Sequence, residues 1–150
     1  MSNVIEISII ADRSGSMNEW GKKDLMEYLL RCVGYYIQDG KFNSFNIKFY
    51  ALSDKISLLD DADGYSPEGK TDISRLLVFV CATGGRSLFL SDGNFAVRKS
   101  AEKLSVPILL PVAVGCDHNK STLKSISSSG NVYSADNILV ALNDLCFGGL

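Results

Sequence analysis

Apolar residues fill most of positions 4 to 11 (Val4, Ile5, Ile7, Ile9, Ile10, Ala11), and the run stops at Asp12-Arg13-Ser14-Gly15-Ser16. A short β-branched run that ends in polar residues and glycine predicts a buried strand feeding a loop. The spacing then changes. Met17, Trp20, Leu25, Tyr28, Leu29, Cys32, Val33, Tyr36 and Ile37 recur at intervals of mostly three and four, which predicts one long amphipathic helix over residues 17–37, closed by Asp39-Gly40. Trp20, Tyr35, Tyr36 and Phe42 are read as packing of this helix and the core, not as a binding platform.

Residues 45–52 alternate apolar and polar, and residues 55–59 repeat the habit after Ser53-Asp54, so an antiparallel hairpin at a sheet edge is expected. Residues 60–70 are acidic and carry Gly64, Pro67 and Gly69, which predicts a loop before a helix over 72–82. A strand at 87–91, a helix from about 95 to 104 and a strand at 108–114 follow. A short helix at 123–126, a short strand at Val132-Tyr133 and a closing helix over 138–146, N-capped by Ser134 or Asp136, complete the chain. Strands alternating with helices imply an α/β fold with a doubly wound, mostly parallel sheet. One antiparallel edge strand and helices on both faces are expected, with residues 1–150 forming a single domain.

Composition narrows the partners. Apolar residues make up 46% and charged residues 21%, the balance of a globular core and not of a disordered segment. The net charge of −2, with no stripe of Lys and Arg, argues against a nucleic-acid partner. No apolar stretch nears the roughly 18 residues of a membrane span, and the first residues lack a basic, cleavable leader, so a soluble cytoplasmic protein is expected. Cys32, Cys81, Cys116 and Cys146 have no CxxC spacing and are read as reduced core thiols. Cys116-Asp117-His118 is assigned a structural role, because adjacent side chains on a short loop rarely converge on one ion.

The candidate chemistry lies at the strand ends. In an open parallel sheet ligands bind beyond the carboxyl ends of the strands, and two strands here end in aspartate, Asp12 and Asp92. Asp12-x-Ser14-x-Ser16 sets a carboxylate and two hydroxyls at alternate positions of a tight turn. Hard cations such as Mg²⁺ take oxygen ligands and retain water, which hydroxyls with two carboxylates supply. Two negative charges balance a divalent ion and leave it electrophilic, so a further anion is expected to complete the shell.

Three segments, Asp12-Arg13-Ser14-Gly15-Ser16-Met17, Gly69-Lys70-Thr71-Asp72-Ile73 and Leu90-Ser91-Asp92-Gly93, resemble the metal-ion-dependent adhesion site of von Willebrand factor A (vWA) domains. The likeness runs from Val4 to about Leu145, including Val112-Ala113-Val114-Gly115, and is nearest to intracellular, bacterial-type, single-domain members. It implies a Mg²⁺ (or Mn²⁺) ion held by Asp12, Ser14, Ser16, Thr71 and Asp92. Ser14 and Ser16 would touch the metal, Thr71 would join directly or through water, and the aspartates would act largely through water. It further implies a non-enzymatic protein-interaction module whose partner presents an Asp or Glu. Lys70, where the family has glycine before its threonine, departs from the pattern and is expected in solvent.

Two other functions are kept open. Gly64 to Thr71 satisfies the P-loop pattern GxxxxGK[ST], an alternative in which the protein binds nucleotide, although Asp60, Asp61, Asp63 and Glu68 would repel a triphosphate. A Mg²⁺-dependent hydrolase is the other, but the chain offers no clear base beyond His118. A non-functional origin is also weighed, since Ser, Thr and Asp favour helix caps, yet two converging carboxylates need a reason to coexist.

Overall fold

The computed structural model describes residues 4–83, 85–96 and 108–148. Six strands form one sheet: β1 (Ile5–Asp12), β2 (Phe45–Leu52), β3 (Ile56–Leu58), β4 (Arg86–Ser91), β5 (Ile108–Ala113) and β6 (Tyr133–Ser134). Their order is β3-β2-β1-β4-β5-β6, parallel throughout except for β3, which pairs antiparallel with β2 at one edge. This is the expected doubly wound α/β sheet with its edge hairpin.

The period-two alternation of the strands splits the core into two layers. Ile7, Ile9, Leu88, Leu90, Leu110 and Val112 pack on one face against α1 (Lys22–Tyr36) and α4 (Ile138–Phe147), through Met26, Leu29, Val33, Leu142 and Leu145. Ile10, Leu52, Phe89 and Leu109 point to the other face, against Ile73, Leu76 and Val80 of α2 (Ile73–Thr83) and Ile126 of α3 (Lys120–Ile126). Burial of each such side chain contributes roughly 1.5–3 kcal/mol before entropy is counted. Both layers therefore clamp β1 and β4, the two strands whose ends carry the aspartates. Among the described residues, no helix is long and apolar enough to cross a membrane.

The long helix expected over 17–37 is broken in two. Gly15–Asn18 form a single 3₁₀ turn, Trp20 and Gly21 take left-handed φ values of 55° and 73°, and α1 begins only at Lys22. The apolar period survives the break because Met17 is buried by the loop and not by a helical stripe. Trp20 and Tyr35, expected to pack inward, are each 75% exposed, whereas Phe42 is buried and meets the Tyr36 ring edge-on at 5.4 Å. The cysteine expectation is also corrected. Only Cys146 is buried; Cys32 is half-buried, Cys81 lies on the outer side of α2 and Cys116 on the exposed loop after β5. Ser134 caps a 3₁₀ turn (Ala135–Asn137), and Asn137 precedes α4. Most of the helix expected near 95–104 lies outside the described residues; Phe95 and Ala96, which are described, are not helical.

Candidate metal centre

From β1 the sheet extends to β2 on one side, and from β4 to β5 on the other, so the adjacent ends of β1 and β4 bound the crevice where the strand order reverses. Asp12 is the last residue of β1, and Asp92 follows the last residue of β4. Both side chains are fully buried.

Asp12 accepts from three donors. Its Oδ1 accepts from the Ser14 backbone amide and the Thr71 hydroxyl, each at 2.8 Å, and its Oδ2 accepts from the Ser91 hydroxyl at 2.6 Å. Among the described residues no lysine or arginine pairs with it. Burial pushes its pKa above the ordinary 3.8, and the bonds from Ser91, Ser14 and Thr71 offset this only in part. A buried carboxylate that lacks a counter-ion is a place for a cation.

The chain of contacts continues to Asp92. Ser14 and Ser16 bring their hydroxyl oxygens within 3.1 Å, and the Ser16 hydroxyl is one of the groups that favour the ionised Asp92 carboxyl. Asp92 Oδ1 accepts from the Asn94 amide at 3.0 Å, and its Oδ2 accepts from the ammonium of Lys22 at 2.8 Å. Burial opposes ionisation of Asp92, but Lys22, Asn94 and Ser16 together hold its carboxyl below the ordinary range. Gly93 makes the turn possible: at φ +73° a Cβ there would lie 2.5 Å from the Asn119 carbonyl oxygen. Asp12, Ser14, Ser16 and Thr71 thus share one hydrogen-bonded network, and Asp92 stands at the end of the neighbouring strand, held by Lys22 and Asn94.

Thr71 reaches the network because the loop before α2 is fastened to the β1 turn. Tyr65 is buried and its phenol donates to the Asp12 carbonyl, while Gly15 N bonds Gly69 O at 2.8 Å and Glu68 N bonds Arg13 O at 2.6 Å. An Arg13–Glu68 ion pair at 2.6 Å closes the rim. Burial and the nearby aspartate charges push the Tyr65 pKa far up, so the phenol stays a donor. These contacts also bear on the P-loop pattern. The amides of Gly64, Tyr65 and Glu68 are spent on Asp61, Ala62 and Arg13, and α2 starts two residues beyond Thr71. A phosphate cradle needs such amides free at a helix start.

Four participants were not legible in the sequence. Ser91 lies inside the Leu90-Ser91-Asp92-Gly93 segment without a role assigned to it, Tyr65 inside the acidic loop, Asp117 inside a tripeptide read as structural, and Lys22 inside what read as continuous helix. The lysine at the centre is Lys22 and not Lys70, which lies in solvent. Asp117 accepts from Lys22 at 2.9 Å, whereas Cys116 is exposed and His118, also exposed, bonds its Nδ1 to the Gly115 carbonyl at 2.8 Å. That tripeptide therefore does not converge on one point.

The donors suit a hard cation: carboxylate and hydroxyl oxygens without imidazole or thiolate. Among the described residues no three His, Cys, Asp or Glu side chains gather as a metal cluster, so any ion here must rely on the hydroxyls.

Fold and centre together define a vWA-like α/β fold with an oxygen-rich crevice at its switch point. No protein-family model matches the chain, and no curated protein does. Solved structures do. Proximal thread matrix protein 1 from the mussel byssus superposes with a TM-score of 0.58 at 17% identity, over 93% of this chain and 44% of that one. The same mussel protein with a zinc-occupied MIDAS motif gives 0.58 at 16%, over 97% and 46%. The pilus adhesin SpaC from Lactobacillus rhamnosus GG, in its open conformation, gives 0.57 at 14%, over 93% and 29%. The chain thus spans less than half the length of these proteins, and at such identity the likeness is one of fold.

Proposed function

We propose that the protein is a non-enzymatic interaction module that holds one divalent metal ion on Asp12, Ser14, Ser16, Thr71 and Asp92 and binds a protein partner through an Asp or Glu that completes the metal shell. The observation that carries this reading is the buried Asp12 carboxylate, which accepts from the Thr71 and Ser91 hydroxyls and pairs with no lysine or arginine among the described residues. Because donors already bond both Asp12 oxygens, Asp12 would orient the hydroxyls and supply charge, and Ser14, Ser16 and Thr71 would hold the ion. The ion supplies electrophilicity toward an incoming carboxylate. Mg²⁺ or Mn²⁺ suits this oxygen set better than zinc, which favours nitrogen and sulfur, although a zinc-occupied MIDAS motif in the mussel protein supports divalent binding by the fold. A cytoplasmic setting and a bacterial-type, single-domain role belong to the same proposal.

Capture of partners on the immobilised protein tests it, with Mn²⁺ or with chelator, followed by Asp→Asn and Glu→Gln changes in the captured protein. Capture that needs the metal, fails on Ser14→Ala and is lost with one partner carboxylate is expected. Capture unchanged by chelator would contradict it.

A further inference from the structure

We propose that Lys22 is a resident cation of this centre: its ammonium compensates Asp92 in the metal-free protein and lowers the affinity of the centre for a divalent ion. The inference rests on the metal-binding reading above and adds a regulator to it.

The lysine is built in. Its side chain is fully buried, a rare state for lysine, and its Nζ lies 2.8 Å from Asp92 Oδ2 and 2.9 Å from Asp117 Oδ2. Three elements shape its socket: the first turn of α1, the end of β4 and the loop after β5. Gly115 lets the stem pass, for at φ +94° a Cβ there would come within 2.5 Å of Lys22 Cδ and 2.7 Å of its Cγ. Among the described residues Asp12 and Asp92 are therefore treated differently, one without a paired lysine or arginine and the other with Lys22. With all four groups ionised, Asp12, Asp92, Asp117 and Lys22 leave a net charge of −2. An arriving divalent ion meets a carboxylate whose one oxygen is already taken by an ammonium, and the two cations repel. Asp117 accepts from the same ammonium, so it sets how firmly Lys22 holds Asp92.

Opposite effects at these two positions separate this from a merely structural role, which would weaken binding in both variants. Calorimetric titration with Mg²⁺ and with Mn²⁺ is run on wild type, Lys22→Gln and Asp117→Asn, with urea unfolding of each in chelator. Lys22→Gln should bind about tenfold or more tighter and lose stability in chelator that saturating Mg²⁺ restores. Asp117→Asn should bind about threefold or more weaker. Unchanged or weaker binding by Lys22→Gln, or unchanged or tighter binding by Asp117→Asn, overturns the proposal while the metal reading stands. If Lys22→Gln fails to fold, Asp117→Asn alone decides. No binding by wild type or either variant overturns the metal reading, and this inference with it.

Discussion

The Ser91 hydroxyl donates to Asp12 Oδ2 at 2.6 Å and so ties the end of β4 to the end of β1 inside the core. Removing it leaves a fully buried carboxylate oxygen without its donor. Ser91→Ala is expected to cost about 1–3 kcal/mol of stability, read by urea unfolding in chelator. Saturating Mg²⁺ should return part of that loss. A loss below about 0.5 kcal/mol would show that Asp12 does not depend on this bond.

Asp12 and Asp92 have opposite signs in the pH dependence of the metal-free protein. Asp12 has a raised folded pKa, so its burial cost is present at neutral pH and is relieved as pH falls through that raised value. Asp92 has a lowered folded pKa, so its contribution is full above the unfolded value of 3.8 and is lost as pH falls through the lowered one. Asp12→Asn removes the buried charge together with one of the two oxygens that accept the Ser14, Thr71 and Ser91 bonds. It should remove the gain in stability that acid brings through Asp12 in chelator, and abolish metal binding. A variant that keeps that pH dependence and still binds metal would refute the assignment.

Tyr65 anchors the loop that delivers Thr71, through its bond to the Asp12 carbonyl. Tyr65→Phe keeps the buried ring and removes only the hydroxyl, so a loss of about 0.5–1.5 kcal/mol is expected. Metal affinity should fall as well, because Thr71 is then less firmly held. Calorimetry alongside urea unfolding checks both. Unchanged affinity would mean that the Gly15–Gly69 and Arg13–Glu68 contacts suffice to place Thr71.

The cysteines should fall into distinct reactivity classes. Cys81 and Cys116 are exposed and should react readily with a thiol reagent at pH 8, whereas Cys146 is buried with its thiol pushed up to about 11. Between the ordinary 9.0 and about 11, the unfolded chain releases this proton and the folded chain keeps it, so stability falls as pH rises through that window. Mass spectrometry of the labelled native protein checks the classes. Rapid labelling of Cys146 would contradict its burial.

The strand alternation made both layers of the core readable in advance, because Ile7 and Ile9 part from Ser8 and Ile10 at a strict period of two. The switch-point aspartates were equally legible, since each closes an apolar run. What stayed hidden was non-local or not periodic. Trp20 and Gly21 interrupt a helix without breaking the apolar spacing, since Met17 is buried without helix. Lys22 carries an exposed residue's chemistry into a socket made by Gly115 and Asp117, more than 90 residues away. Lys70, which neighbours Thr71 in the motif, was expected in solvent and lies there.

The central claim is that Asp12, Ser14, Ser16, Thr71 and Asp92 hold one divalent ion. Calorimetric titration of Mg²⁺, Mn²⁺ and Zn²⁺ into wild type, Ser14→Ala and Thr71→Ala tests it most directly. One ion per chain is expected for wild type, with Mg²⁺ or Mn²⁺ binding reduced about tenfold or more in each variant. No metal heat in wild type, or binding unchanged in both variants, would contradict it.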